Sequence, residues 1–140
     1  MNPAEKRVLV RSLVVLAWVR WTMARRGFAA VEARVLRVIA AMKEIENTPA
    51  DALEPREVTR LMLAAQRTLP WRNTCLHLAA ALRLILAERG IASALRFGAR
   101  NERGTFTAHA WLECGGCVLV GGTDVHARYA AFVVKQGEGA

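Results

Sequence analysis

The sequence predicts an α+β domain, a set of N-terminal helices followed by a small antiparallel sheet, and three observations carry that prediction. Apolar residues recur at helical spacing up to Gly90, the period then shifts toward strand-like alternation, and Gly, Pro, Asn and Asp gather at the breaks between segments. Helices first and strands afterwards is the α+β order. With 140 residues the chain fits a single domain, 1–140, long enough to bury a core without staples. A helical part, 1–68, precedes a part made of one further helix and the sheet, 69–135, and 136–140 reads as a frayed tail. Hydrophobic residues are 54% and charged residues 23% of the chain, and the apolar excess is mostly Ala, Leu and Val, which favours packed helices over disorder.

The first helical pattern runs from Lys6 to about Met42. It carries Val8, Leu9, Leu13, Leu16, Ala17 and Trp18, then Val31, Val35, Leu36, Val38 and Ile39, and Gly27 divides it into two helices. "ENTPADALEPREV" is a surface connection, because it collects the turn-formers Asn47, Pro49, Asp51 and Pro55, and Pro55 suits the opening position of the next helix. That helix extends to about Thr68 with Val58, Leu61, Met62 and Ala65 on one face. Pro70 in "LPWRNTC" lacks the amide a continuing helix needs, and Asn73 or Thr74 caps a new helix that starts at Cys75. Its apolar residues are Leu76, Ala79, Ala80, Leu82, Leu84, Ile85 and Leu86, and Gly90 ends it. The strand-like segments are "ASALRFGA", "FTAHAWLE", "CVLVGG" and "YAAFVVK".

The formal charge of +8 comes almost wholly from arginine. It suits an acidic partner, an anionic membrane face or nucleic acid. The arginines are spaced as on solvated helix faces, as in "RRGFAAVEARVLRVI", with no basic block or aromatic–basic alternation, so no nucleic-acid partner is expected. The apolar run Ser12 to Val19 lies between Arg11 and Arg20, far short of the roughly 20 residues that span a bilayer, and lacks a small-residue cleavage site. No membrane insertion is expected, and the reading is cytoplasmic. Three cysteines, an odd number, argue against a secreted disulfide framework.

Two residues draw attention as chemistry. Cys75 falls at the first turn of a helix, where unpaired amides and the macrodipole favour an anion, the form in which a thiol is a nucleophile. The competing reading is a buried structural cysteine. His109 stands in "FTAHAW", where strand alternation puts Thr107, His109, Trp111 and Glu113 on one face and Phe106, Ala108, Ala110 and Leu112 on the other. Alone it reads as a satisfied strand histidine, but a cysteine at a helix start followed by a histidine on a later strand is also the arrangement of a thiolate–imidazolium pair. Asp124 is the candidate to orient the imidazole; Glu113 shares the histidine's face but lies about 13 Å along the strand, too far for contact. Trp71 and Trp111 are candidates to line the cleft. Cys114 and Cys117 resemble half a zinc site, yet no second pair exists, so no metal or cofactor is expected. Gly115-Gly116 instead reads as a two-residue hairpin turn with the cysteines facing one another, a redox pair being the alternative. His77 lies about 200° around the helix from Cys75 and should not touch the thiol, and His126 is assigned no role.

The stretch "CLHLAAALRLILAERGIASALRFGARNERGTFTAHAWLECGGCVLVGG", Cys75 to Gly122, resembles the core of the lasso-peptide B2 leader peptidases, members of the transglutaminase-like, papain-related cysteine proteases. The shared pattern is a Cys-Leu opening a leucine-rich helix, a Gly-Ile step into a strand, then Ala-His-Ala-Trp and a short hairpin. The resemblance implies a transglutaminase-like or papain-like core, in which the helix bearing the nucleophile packs on the sheet. It implies a Cys-His-Asp triad that cuts the leader from a ribosomally made precursor, with Cys75 as nucleophile and His109 as base. The family commonly has its aspartate about where Gly121-Gly122 stand here, so either Asp124 takes the role or the position is empty. The implied partners are the precursor's leader, a separate B1-type leader-binding protein, for which 140 residues leave no room here, and an ATP-dependent lasso cyclase. Two other readings stay open: a transglutaminase-type acyl transferase using the same pair, and a non-enzymatic basic helical binding module.

Overall fold

A computed structural model of the chain describes residues 1–44, 53–121 and 130–132. Among the described residues, four helices, α1 (Pro3–Arg25), α2 (Phe28–Glu44), α3 (Pro55–Gln66) and α4 (Cys75–Glu88), precede the strands β1 (Ala94–Glu102), β2 (Thr105–Cys114), β3 (Cys117–Val120) and β4 (Ala130–Phe132). This is the α+β order expected. Most of the "ENTPADALEPREV" connection lies outside the described residues, as does most of "YAAFVVK".

Helix α1 begins ahead of Lys6 because "NPAE" builds its own start. The Asn2 side chain accepts from the Glu5 amide at 2.8 Å, the Glu5 carboxylate accepts from the Asn2 amide at 3.2 Å, and Pro3 fills the first helical position. The buried stripe of α1 differs from the apolar pattern read along it. Val8, Ser12, Val15, Leu16, Val19 and Thr22 are buried. Leu9, Leu13 and Trp18 are only half-buried, Ala17 is exposed, and Val10, Val14 and Trp21 face outward at 60%, 51% and 56% exposure. Because α1 carries apolar residues on its outer face beside Arg7, Arg11 and Arg20, the choice of stripe falls to the neighbouring helices, and the small Ser12 and Thr22 are buried among them.

The centre of the fold is α4. Every residue from Ala79 to Ala87 is buried, and the helix packs against α1, α2, α3 and strands β1, β2 and β3. A helix without a polar face has to be enclosed, and each fully buried leucine contributes about 1.5–3 kcal/mol. The exception is Arg83, 2% exposed and ion-paired with Glu32 of α2. The helix stops as the sequence indicated: the Ile91 amide donates to Leu86 O at 2.9 Å and the Gly90 amide to Ala87 O at 3.0 Å, the paired bonds of a Schellman end.

The sheet order is β3-β2-β1-β4, with antiparallel neighbours. Leu95 of β1, Ala110 and Leu112 of β2 and Val120 of β3 belong to the same core cluster as the helices. Phe97 adds an edge-on contact with Phe28 of α2, the ring centroids 6.0 Å apart. Gly115-Gly116 is the hairpin turn expected: Cys114 pairs with Cys117, and both glycines have positive φ, 56° and 84°. A bulge between Leu112 and Glu113 shifts the β2–β3 register just before that turn. Among the described residues no helix is long and apolar enough to cross a membrane.

Candidate active site

The N-terminal turn of α4 is built by a capping box with an unusual member. The Thr74 hydroxyl accepts from the His77 amide at 3.2 Å, and His77 Nδ1 accepts from the Thr74 amide at 3.2 Å, so a histidine fills the place usually held by Glu or Gln. Because a backbone N–H only donates, Nδ1 is unprotonated there. Burial, and secondarily the Arg20 guanidinium, push His77 below its ordinary value of 6.5. This accounts for a histidine beside Cys75 in sequence that serves the helix rather than the thiol. The box uses the amides of Thr74 and His77 and leaves those of Cys75 and Leu76 at the positive end of the helix. Cys75 itself is the first helical residue, half-buried, a free thiol, and packed against the core cluster.

The loop leading to Cys75 is fastened to the helices. Trp71 donates its indole N–H to Asn73 Oδ1 at 3.2 Å, and Asn73 in turn meets Gln66 at the end of α3. From α1, the Arg20 guanidinium lies 5.4 Å from the centre of the Trp71 ring and also donates to Arg72 O at 3.0 Å. Trp71 is half-buried, four residues ahead of the start of α4.

His109 occupies the middle of β2, opposite Gly98 of β1, and is half-buried. Its Nε2 lies 2.8 Å from Gly121 O. A carbonyl only accepts, so Nε2 carries the proton, and in the neutral ring Nδ1 keeps a lone pair. Trp111 lies near-parallel to the imidazole at 6.4 Å and 23°, and its indole N–H donates to Glu113 Oε2 at 2.7 Å. Arg96 of β1 stands 3.7 Å from the other Glu113 oxygen. Trp111 is 0% exposed, which corrects its expected place in the cleft: a wholly buried ring offers no surface to a peptide and instead backs the histidine. Alternation had not revealed this, because Ala110, Trp111 and Leu112 are buried in succession on both faces.

Packing of α4 against β2 brings together the two elements that carry Cys75 and His109. Ala110 and Leu112 join the helices' cluster, while His109, Trp111 and Glu113 take the opposite parity along β2. Asp124 and His126 lie outside the described residues. Cys114 and Cys117 are both free thiols; Cys114 Sγ meets Ala92 O at 3.4 Å, and burial, then Cys117, push that thiol up from its ordinary value. Among the described residues no group of three or more His, Cys, Asp or Glu is placed to hold a metal ion.

A free thiol at the first turn of a buried helix, next to a strand with an oriented imidazole, is a layout suited to thiol-based acyl transfer. A family model, the Transglutaminase-like superfamily, matches residues 13–134, and the chain belongs to that superfamily. The four helices and the antiparallel sheet agree with its core, and membership supports cysteine-protease or acyltransferase chemistry in general. Neither a curated protein nor a solved structure matches the chain closely enough to add a named relative.

Proposed function

We propose that this chain is a cysteine peptidase that removes the leader from a ribosomally synthesised precursor of the lasso-peptide type. The observation that carries the reading is the N-terminal turn of α4, where Cys75 sits beside two amides that the capping box leaves unused, within a chain of the transglutaminase-like superfamily. The likeness of Cys75 to Gly122 to the B2 leader peptidases supplies the substrate class. In this reading the Cys75 thiol passes its proton to His109 and attacks the carbonyl at the leader–core junction. The Cys75 and Leu76 amides hold the oxyanion, and His109 returns the proton to the leaving amine as the C–N bond breaks. Water activated by His109 then hydrolyses the thioester and releases the leader with a free carboxylate. Asp124 is the acid the sequence offers for orienting His109.

The same reading makes 1–140 one catalytic domain, working in the cytoplasm with a B1-type leader-binding protein and passing its product to an ATP-dependent cyclase. In this reading Trp71 is the aromatic that contacts the peptide, and its half-buried state beside the start of α4 supports that role. Acyl transfer to an amine by the same pair is the second reading, favoured by the superfamily's acyltransferase members. The test is mass spectrometry of a cognate precursor incubated with this protein and its leader-binding partner. Free leader carboxylate lost in Cys75→Ala and His109→Ala supports the peptidase, an amine-linked product supports the transferase, and no reaction by the folded, partner-bound protein rejects both.

A further inference from the structure

We infer that the outer face of α1 docks an acidic amphipathic helix of a partner protein. The row that carries it is Val10, Val14, Ala17 and Trp21, spaced four, three and four residues apart and therefore within about 60° of one another around the helix. It lies opposite the buried stripe of Val8, Ser12, Val15, Val19 and Thr22, and all four residues are exposed, Val10 at 60%, Val14 at 51% and Trp21 at 56%. Single apolar residues on a surface mean little, but a row of them on a helix whose other stripe already serves the core marks a contact surface. Alternating steps of three and four are the spacing at which one helix packs its side chains into another, and the row covers about three turns.

Charge selects the partner. Between Pro3 and Arg25 the helix has five basic residues and one acid, and that acid, Glu5, accepts from the Asn2 amide and from Arg60. Lys6 and Arg20 flank the row on one side and Arg7, Arg11 and Arg25 on the other, all of them exposed. A second copy of α1 would bring basic residues against basic residues in either direction, whereas carboxylates flanking the seam of an incoming helix would pair with them. Arg11 already pairs with Glu88 and Arg20 donates to Arg72 O, so Lys6, Arg7 and Arg25 carry most of the attraction. Shape separates a helix from a lipid surface. Arg11, Val14, Val15, Trp18, Arg34 and Leu84 line a hollow between α1, α2 and α4, and a second hollow lies over Lys6, Arg7, Val10 and Val14. The side chains of a helix fill such hollows; a flat membrane face would rest on the row and leave them empty. The docking face uses neither Cys75 nor His109, so it stands or falls apart from the peptidase reading.

The probe is a fluorescein-labelled synthetic peptide about three heptads long, with Leu at its a and d positions, Glu at e and g, and Gln and Ala elsewhere; its counterpart has Lys for every Glu. Fluorescence anisotropy with the full chain is expected to show binding of the acidic peptide that weakens at least about tenfold between low and high salt, and no binding of the basic one. Val14→Ser combined with Trp21→Ser should weaken it at least about tenfold, as should Arg7→Glu combined with Arg25→Glu, each with unchanged circular dichroism because these side chains lie outside the core. Binding that responds to the arginine pair but not to Val14 and Trp21 is unspecific attraction to a basic surface and overturns the inference, as does the absence of binding. A dimer in sedimentation velocity that Val14→Ser with Trp21→Ser dissolves gives the face to a second copy. Adsorption to phosphatidylserine vesicles that the same pair abolishes, and that the acidic peptide does not compete away, gives it to a lipid surface. Either result overturns the inference. If a double variant does not fold, the wild type decides: a scrambled acidic peptide of the same composition should bind at least about tenfold more weakly, and equal binding overturns the inference.

Discussion

The two ends of α4 are made by different rules. From Ala79 to Ala87 the helix is enclosed on every side, its apolar residues locked among three helices and three strands. Its first turn is only half-buried, capped by Thr74 and His77, with Cys75 between them and two amides left over. The enclosed end sets the position of the helix, so the open end can keep groups that a stability-driven design would satisfy or bury. A similar contrast divides β2: Leu112 is core, whereas His109 is held by a carbonyl and an indole.

Substitutions at the two ends should separate reactivity from stability. The largest effect is expected from Cys75→Ala, which should lower turnover of the cognate precursor at least about a thousandfold while leaving the midpoint of urea unfolding nearly unchanged. If it unfolds the protein instead, Cys75 belongs with the core. Glu32→Ala should do the reverse, costing about 3–5 kcal/mol in urea titration because it strands the buried Arg83 guanidinium. A loss below ~1 kcal/mol would show that solvent reaches Arg83. Leu86→Ala, at 0% exposure, should cost about 2–5 kcal/mol by the same measurement.

Smaller effects should appear at the open end. Thr74→Ala removes the hydroxyl that caps the His77 amide and should cost about 1 kcal/mol, with Cys75 alkylation slowed as the first turn frays. The smallest is a pH effect. His77 titrates below 6.5 in the folded chain because of burial first and Arg20 second, so the unfolded chain binds its proton at higher pH than the folded one. The contribution is present above 6.5 and fades as pH falls from there through the lowered folded value, where protonated Nδ1 no longer accepts from Thr74. Thermal melts should show this slope in the wild type and lose it in His77→Gln; an equal slope in both would assign it to other groups.

Much of this division is legible in the sequence. Pro55, Pro70, Thr74 and Gly90 mark the helix ends because each acts through local backbone chemistry, and Gly115-Gly116 marks its turn for the same reason. The first turn of α4 and the strand context of His109 could be read as well. The burial of Trp111 could not, since it depends on what covers each face of the sheet rather than on alternation within β2. His77 was passed over because Thr-x-x-His is a rare form of a cap usually written with Glu or Gln. Gly121 stood out only as a missing acid; that its carbonyl meets an imidazole twelve residues away is a tertiary fact.

The central claim is that Cys75 and His109 act on each other across the α4–β2 packing. The most direct measurement is treatment of the folded protein with 1,3-dichloroacetone, which alkylates a thiolate and then a neighbouring imidazole, followed by digestion and mass spectrometry. The account predicts a single bridged species joining the peptides of Cys75 and His109, absent in His109→Ala. Cys75 alkylated once, with His109 unmodified in a protein that remains folded, would contradict it.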